Sequence, residues 1–192
     1  SCNGFEVYLN SGMTPVMYVD KKWVVADTNK LWYSYQTQEW ANAVILNSGI
    51  VKNVGDIVTE EEMRAMFVWI PRYSYTIGNT YGNPLQEDDI VSKETPGAID
   101  IKFVDTDTKE IGTASYTGNE PSNFMTHPAF TFGDVELSGF WVGKFETTGE
   151  SNNPTILPNK MALTGFNISS FFNLSKTFEN YVSGDSHMMK NI

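Results

Sequence analysis

Six carboxylates stand where side chains could do chemistry: Asp88, Asp89, Glu110, Asp134, Glu136 and Glu146. Glycoside hydrolysis needs two carboxyl groups at a set separation, one acting as acid and the other as nucleophile or base. Nothing in the spacing of these six pairs any two of them. Glu87-Asp88-Asp89 and Asp105-Thr106-Asp107 put hard oxygen donors into loops, the ligand type calcium takes, although neither follows the EF-hand pattern. The competing reading is two solvated acidic loops. His127 and His187 lie far apart and outside any ligand-spaced motif; His127 precedes Pro128 at the start of a strand-like run, where a structural hydrogen bond is expected of it. Cys2 is the only cysteine, which excludes an intramolecular disulfide and a zinc site built on several thiolates. GxSxG, HExxH and P-loop motifs are absent. We therefore assign no catalytic, cofactor-binding or metal-binding residue and no cofactor, and expect a protein that is not an enzyme.

Aromatic side chains offer different chemistry. Five Trp, nine Tyr and twelve Phe exceed what a core of this size requires. Tyr73, Tyr75 and Tyr81 border a polar loop, and Trp32, Tyr33 and Tyr35 form a second group. Either group could stack on a sugar ring; burial is the commoner fate of such residues.

Composition narrows the class. A chain of 192 residues with 41% hydrophobic and 14% aromatic content buries a real core and is not disordered. Only 19% of residues are charged, so much of the polar surface is Asn, Thr, Ser and Gly, a profile that suits an extracellular β-rich protein. The net charge of −10 and pI near 4.6, with no Lys/Arg cluster, argue against nucleic acid and against anionic membranes as partners. No apolar run reaches the roughly 18 residues of a transmembrane helix.

The elements that must position these residues read mostly as strands. Segments 15–19, 23–26, 31–35 and 40–46 are short β-prone runs about 8 to 10 residues apart, an antiparallel meander, followed by loop chemistry over 47–56. Thr59-Glu60-Glu61-Glu62 has the form of a capping box and predicts a short helix that Pro71 ends. Strands are expected over 67–77, with Pro71 at a bulge or edge, and over 98–105, with Ile99, Ile101 and Phe103 on one face. Polar loops fill 78–97, 106–123 and 147–158, the segments where binding usually resides. Between the second and third, 127–132 and 135–145 read as strands around a Gly133-Asp134 turn. Phe171, Leu174, Phe178 and Tyr181 form an apolar stripe on a helix over 168–182, capped by Ser169 or Ser170 and stopped by Gly184, and Asp185-Ser186 starts another at His187.

Within 126–146, THPAFTFGDVELSGFWVGKFE, the string FWVGKFE resembles the FWIGKYEVT signature of the formylglycine-generating-enzyme domain, a C-type-lectin-like fold. Together with MFVWIPRY (66–73) and SHMMKNI (186–192), it is similar to a family of secreted bacterial, Firmicutes-type proteins, many with a prepilin-type N-terminus. The resemblance covers roughly 13–192. It implies a chain processed or trimmed before Ser1, lacking a hydrophobic N-terminal helix, and C-terminally incomplete, since the relatives continue into an aromatic, Gly-containing segment. The enzyme it names uses paired thiols to bind copper and oxidise a substrate cysteine. That pair is missing here, so the resemblance carries over only Trp141, Gly143, Lys144 and Glu146, as scaffold: Trp141 in the core, Gly143 allowing close backbone approach, Lys144 and Glu146 on one side of a strand.

The resulting expectation is an α+β, β-dominated fold: an N-terminal antiparallel meander over 1–56 joined to a C-type-lectin-like, formylglycine-generating-enzyme-like portion over 57–192. Its function is that of an extracellular or cell-surface bacterial protein, a pilin-like subunit ectodomain or an adhesin-type display domain. Expected partners are other subunits of a filament or oligomer and a glycan or host-surface ligand, with membrane contact only through a preceding segment. The alternatives are a phage or prophage receptor-binding, variable lectin-like protein, and a degenerate formylglycine-type oxidase or polysaccharide-acting enzyme.

Overall fold

The computed structural model describes residues 7–78, 99–117 and 120–189, which form antiparallel sheets with one short α-helix. Strands β1 (Thr14–Val19) and β2 (Lys22–Val25) make a hairpin whose turn residues, Asp20 and Lys21, have φ of 48° and 62°. Two consecutive residues at positive φ give the turn whose twist matches that of the strands it joins. β3 (Asn42–Leu46) lies on the other side of β1, and β4 (Ile57–Val58) pairs with β2. β5 (Met63–Pro71) is the longest strand; β6 (Tyr73–Ile77) and β7 (Ile99–Phe103) follow it and pair with each other. β8 (Ser115–Thr117) pairs with β9 (Glu120–Asn123), and β10 (Met125–Thr126) joins the free side of β6. β11 (Thr131–Phe132) and β12 (Val135–Glu136) form a small hairpin, and β13 (Gly139–Gly143) returns to β5. A last hairpin, β14 (Thr148–Glu150) with β15 (Asn153–Thr155), precedes the helix α1 (Ile168–Lys176).

The main sheet has the order β13-β5-β3-β1-β2-β4 and so draws strands from both sides of residue 56; the second is β10-β6-β7. β5 lies inside the sheet, between β13 and β3, because its sequence, MRAMFVWIP, is largely apolar on both faces. Met66 packs with Val16, Val25, Val44 and Val58 on one side. On the other, Ala65 and Phe67 meet Ile45, Ile156 and Phe178, while Trp69 meets Ala41 and Trp32. Gly139 is the residue that lets β13 close on β5. A Cβ there would lie 2.4 Å from the Trp69 ring and 2.6 Å from the Ile70 carbonyl oxygen.

Several expectations are corrected. Residues 31–35 form no strand, only a single Ser34–Glu39 bridge, because Trp32 and Tyr33 turn into the core. Thr59 does donate its amide to Glu62 Oε2 at 2.9 Å, but over a 3-10 turn (Glu60–Glu62) rather than a helix, since the alternating apolar run takes over as strand from Met63. Residues 127–132 open as a 3-10 turn capped by His127, whose Nδ1 accepts the Ala129 amide at 3.2 Å, the structural bond expected of it. The stretch 147–158 is a hairpin, not an open loop. α1 is capped by Asn167 Oδ1, which accepts the Ser170 amide at 2.8 Å, and it ends at Lys176 in a 3-10 turn that still buries Phe178. Tyr181, the last member of the expected stripe, is exposed, and residues 185–189 are not helical. The two described tails meet: Ser11 and Ser183 exchange bonds of 2.9 and 3.1 Å, and Asn10 Nδ2 donates to the Ser183 carbonyl.

Where β5 passes into β6, Arg72 is fully buried. Its Nε and Nη2 donate to the Thr108 carbonyl at 3.3 and 3.0 Å. Its Nη1 donates to the carbonyls of Phe130 and Leu137 at 3.3 and 3.4 Å, and Nη2 pairs with Glu136 Oε2 at 2.8 Å. A buried guanidinium is tolerable only when its fork of donors is filled in this way. One side chain thus ties the 105–110 loop and the β11–β12 hairpin to the junction of the two sheets. Glu136 also takes Lys109 Nζ and the Thr131 hydroxyl, the latter at 3.0 Å.

Two outcomes follow. Arg72→Met leaves three carbonyls and a carboxylate without their partner, and is expected to cost about 3–5 kcal/mol in urea unfolding; an unchanged midpoint would contradict the role given to Arg72. Glu136, held first by Lys109 and then by Arg72, has its carboxyl drawn from 4.5 down to about 2. The folded form thus binds its proton less readily than the unfolded chain. The stability it supplies is complete above pH 4.5 and is lost as pH falls towards about 2. Wild type and Glu136→Gln should therefore differ in melting temperature at neutral pH and converge near the acid limit.

Candidate functional site

The second sheet is built inside out. Period-2 alternation in β6, YSYTI, sends Ser74 and Thr76 to one face and Tyr73, Tyr75 and Ile77 to the other. The hydroxyl face is the buried one. Ser74 and Thr76 are 0% exposed, and Thr126 of β10 is 7% exposed. Ser74 Oγ meets Thr126 Oγ1 at 3.0 Å, Thr126 Oγ1 accepts the Glu110 amide at 2.9 Å, and Thr76 Oγ1 donates to the Ser115 carbonyl at 2.7 Å. Each polar atom is matched, so hydrogen bonds rather than apolar packing hold the overlying 104–117 segment.

The aromatic face is only half covered. Tyr73, Tyr75 and His127 surround one another, with ring centroids 5.4 Å (Tyr73–His127) and 5.7 Å (Tyr75–His127) apart, over the buried Phe130, 5.2 Å from Tyr73. Neither tyrosine hydroxyl is hydrogen-bonded among the described residues. With Nδ1 accepting the Ala129 amide, the His127 proton sits on Nε2, a donor without a partner among the described residues. Burial pushes the imidazole pKa below 6.5 and the Tyr73 phenol pKa above 10.0. Across β7, Ile99 and Ile101 are 63% and 57% exposed, and Phe103 carries the surface on to Tyr35 at 5.3 Å and Trp40 at 6.4 Å.

Trp40 then opens onto the main sheet. With Val68, Ile70 and Lys144 it lines a shallow, open cleft of about 240 Å³. Val68, paired with Asn42 and Val142, and Ile70, paired with Phe140, lie on the same face of β5 as Met66. Lys144 extends that face: its amide bonds to the Met66 carbonyl at 2.8 Å. Its Nζ donates to Asn42 Oδ1 and stands 5.0 Å from the centroid of the Trp23 ring. Asn42, itself buried, donates Nδ2 to the Trp40 carbonyl at 2.6 Å, which couples the lysine to the backbone of the exposed indole. Burial pushes the Lys144 amine pKa down.

The residues singled out from the sequence are dispersed. Trp32 and Tyr33 are core; Tyr35 is partly buried with its phenol pKa raised by burial, so this trio is no stacking platform, and Trp40 beside it is the exposed ring. Tyr73 and Tyr75 do meet, and His127 joins them. Tyr81, Asp88, Asp89 and Cys2 lie outside the described residues. Glu110 is ion-paired with Lys102, Glu136 serves Arg72, and Asp105 is occupied in accepting the amide and hydroxyl of Thr108 at 2.9 and 2.7 Å. Asp134 and Glu146 are exposed. Among the described residues, no group of three His, Cys, Asp or Glu is placed to hold a metal ion. Trp141 is part-buried against Trp69, a Cβ on Gly143 would meet Ile156 at 3.2 Å, and Lys144 pairs with Asn42, not Glu146. Sequence reasoning passed over Trp40 and Asn42. The alternation in YSYTI was visible, but not which face would be covered.

The His127 environment has a direct readout. Its folded pKa lies below the unfolded value, so its neutral form stabilises the fold fully above pH 6.5 and that contribution declines as pH drops through the folded pKa. An imidazole NMR titration should place the His127 pKa below 6.5; a value at or above it would remove the buried-cap account.

Compared with known protein families, curated proteins and solved structures, the chain matches none.

Proposed function

We propose that this is a non-enzymatic, ligand-binding display domain of a bacterial surface protein, of the pilin-subunit or adhesin type, and that it binds a glycan through its outward aromatic face. The observation that carries the reading is the inverted second sheet. The chain buries Ser74, Thr76 and Thr126 while leaving Ile99, Ile101 and Trp40 exposed and Tyr75 half-buried, so apolar side chains stand on the outer side of this sheet. Aromatic rings with unpaired hydroxyls suit sugars, whose C–H faces stack and whose hydroxyls need partners. The C-type-lectin-like part of the reading rests on the resemblance of FWVGKFE, a string that runs through β13 beside β5 with Trp141 opposite Trp69.

The test is a glycan array probed with the labelled protein, beside Tyr75→Ala and Trp40→Ala. Loss of an aromatic anchor typically costs about 2 kcal/mol of binding, so each variant should lose most of its signal while keeping its melting temperature. A wild-type protein that binds no glycan, or variants that bind as well as wild type, would sink the proposal.

A further inference from the structure

The second sheet, β10-β6-β7, ends on β7, and no strand among the described residues pairs with its far side. The bonding pattern tells which groups face that edge. The His127 amide donates to the Tyr73 carbonyl and the Val104 amide to the Arg72 carbonyl. Tyr73 and Tyr75 therefore bond towards β10, while Ser74 and Thr76 bond to Lys102 and Asp100 of β7. It follows that the amides and carbonyls of Ile99, Ile101 and Phe103 point away from β6, in the row that a further strand would take up. The side chains along this row are exposed on both faces. Ile99 and Ile101, at 63% and 57%, extend the aromatic face, and Asp100 and Lys102 stand on the opposite one.

We infer that β7 pairs antiparallel with β7 of a second copy of this chain, about a two-fold axis at Ile101. The strand reads Ile-Asp-Ile-Lys-Phe, which complements itself when reversed. With Ile101 opposite Ile101, Ile99 meets Phe103 and Asp100 meets Lys102 on each side of the axis. The apolar pairs then fall at hydrogen-bonded positions on the aromatic face. The two opposite-charge pairs fall at the closer, non-hydrogen-bonded positions of the other face. Charge also selects the register. Outward groups recur every second residue, so the copies can slide only in steps of two. One step sets Asp100 against Asp100 and the reverse step sets Lys102 against Lys102, and like charges directly opposite one another are unfavourable. Pairing consumes the edge it uses, so assembly closes at two copies. The product is one continuous sheet, β10-β6-β7-β7-β6-β10, with both aromatic faces on the same side. This doubles the surface to which ligand binding is assigned above, and it holds whatever that surface binds.

The experiment is sedimentation velocity over about 1 to 500 µM protein, in about 150 mM salt to screen the repulsion between two chains of net charge −10. Wild type should pass from monomer to dimer across that range. Ile101→Lys sets two ammonium groups face to face at the axis, and should stay monomeric with an unchanged melting temperature. Asp100→Lys and Lys102→Asp, each alone, oppose like charges and should stay monomeric too. An equimolar mixture of those two restores opposite pairs and should give a heterodimer. Amide exchange reads the edge itself: Ile99 and Ile101 should gain protection as the dimer forms, while Asp100 and Lys102, bonded to β6 already, should not. A wild type that is monomeric throughout overturns the inference. So does an Ile101→Lys protein that dimerises like wild type, growth beyond two copies, or a mixture that associates no better than its components. If a charge variant folds poorly, Ile101→Lys and the exchange measurement decide without it.

Discussion

The buried guanidinium of Arg72 is the constraint around which the rest is arranged. It sits where the main sheet hands the chain to the second one, and its donors are spent on backbone carbonyls from Thr108, Phe130 and Leu137 and on the carboxylate of Glu136. Such a group has no cheap alternative. Removed from water, it must find several acceptors at once, and those it uses lie in the 105–110 loop and in and beside the β11–β12 hairpin. These segments are short, and their positions fit where the guanidinium needs oxygen.

Once that polar centre is fixed, the inside of the second sheet is polar too. Ser74, Thr76 and Thr126 are small enough to admit the 104–117 segment and can hydrogen-bond to it. A large apolar side chain in their place would force the segment away and strand its amides. The aromatics of β6 therefore have one face left to occupy, the one towards solvent. The outward surface and the hydrogen-bonded interior are two results of a single pairing register, that of Tyr73 with Phe103 and Tyr75 with Ile101. The main sheet follows the ordinary rule, with apolar packing on both faces of β5, whereas the second sheet leaves its rings half-buried and Ile99 and Ile101 exposed.

Much of the main sheet was legible because its strands are amphipathic or largely apolar, and β1, β2 and β3, like β7 of the second sheet, lie close to where the β-prone runs fall. The Gly133-Asp134 hairpin was legible from turn chemistry. The failures have physical causes. The capping box at Thr59 is a local signal that is satisfied in a single turn, and the apolar alternation after it outweighs helix propensity. Trp32 and Tyr33 carry strand-like residue types, but their burial by Trp69 and Ala41 comes from packing across the chain rather than from pairing with a neighbour. The site was harder still. Arg72 follows a proline in a strand-like string and nothing local marks it as buried; Asn42 and Lys144 meet only because β3 and β13 flank the same strand.

The meeting of the two tails has a mechanical meaning. Asn10 and Ser11 are clasped to Ser183 by a few hydrogen bonds, and Gly12 is pressed so closely on Tyr181 that a Cβ would fall 2.1 Å from its carbonyl oxygen. The clasp is braced on both sides: Trp141 Nε1 donates to the Tyr8 carbonyl at 2.7 Å, and the Ser186 hydroxyl donates to the Ser175 carbonyl at 2.7 Å. The segment leading into β1 and the one following α1 thus resist fraying together, since neither leaves without giving up the other's bonds.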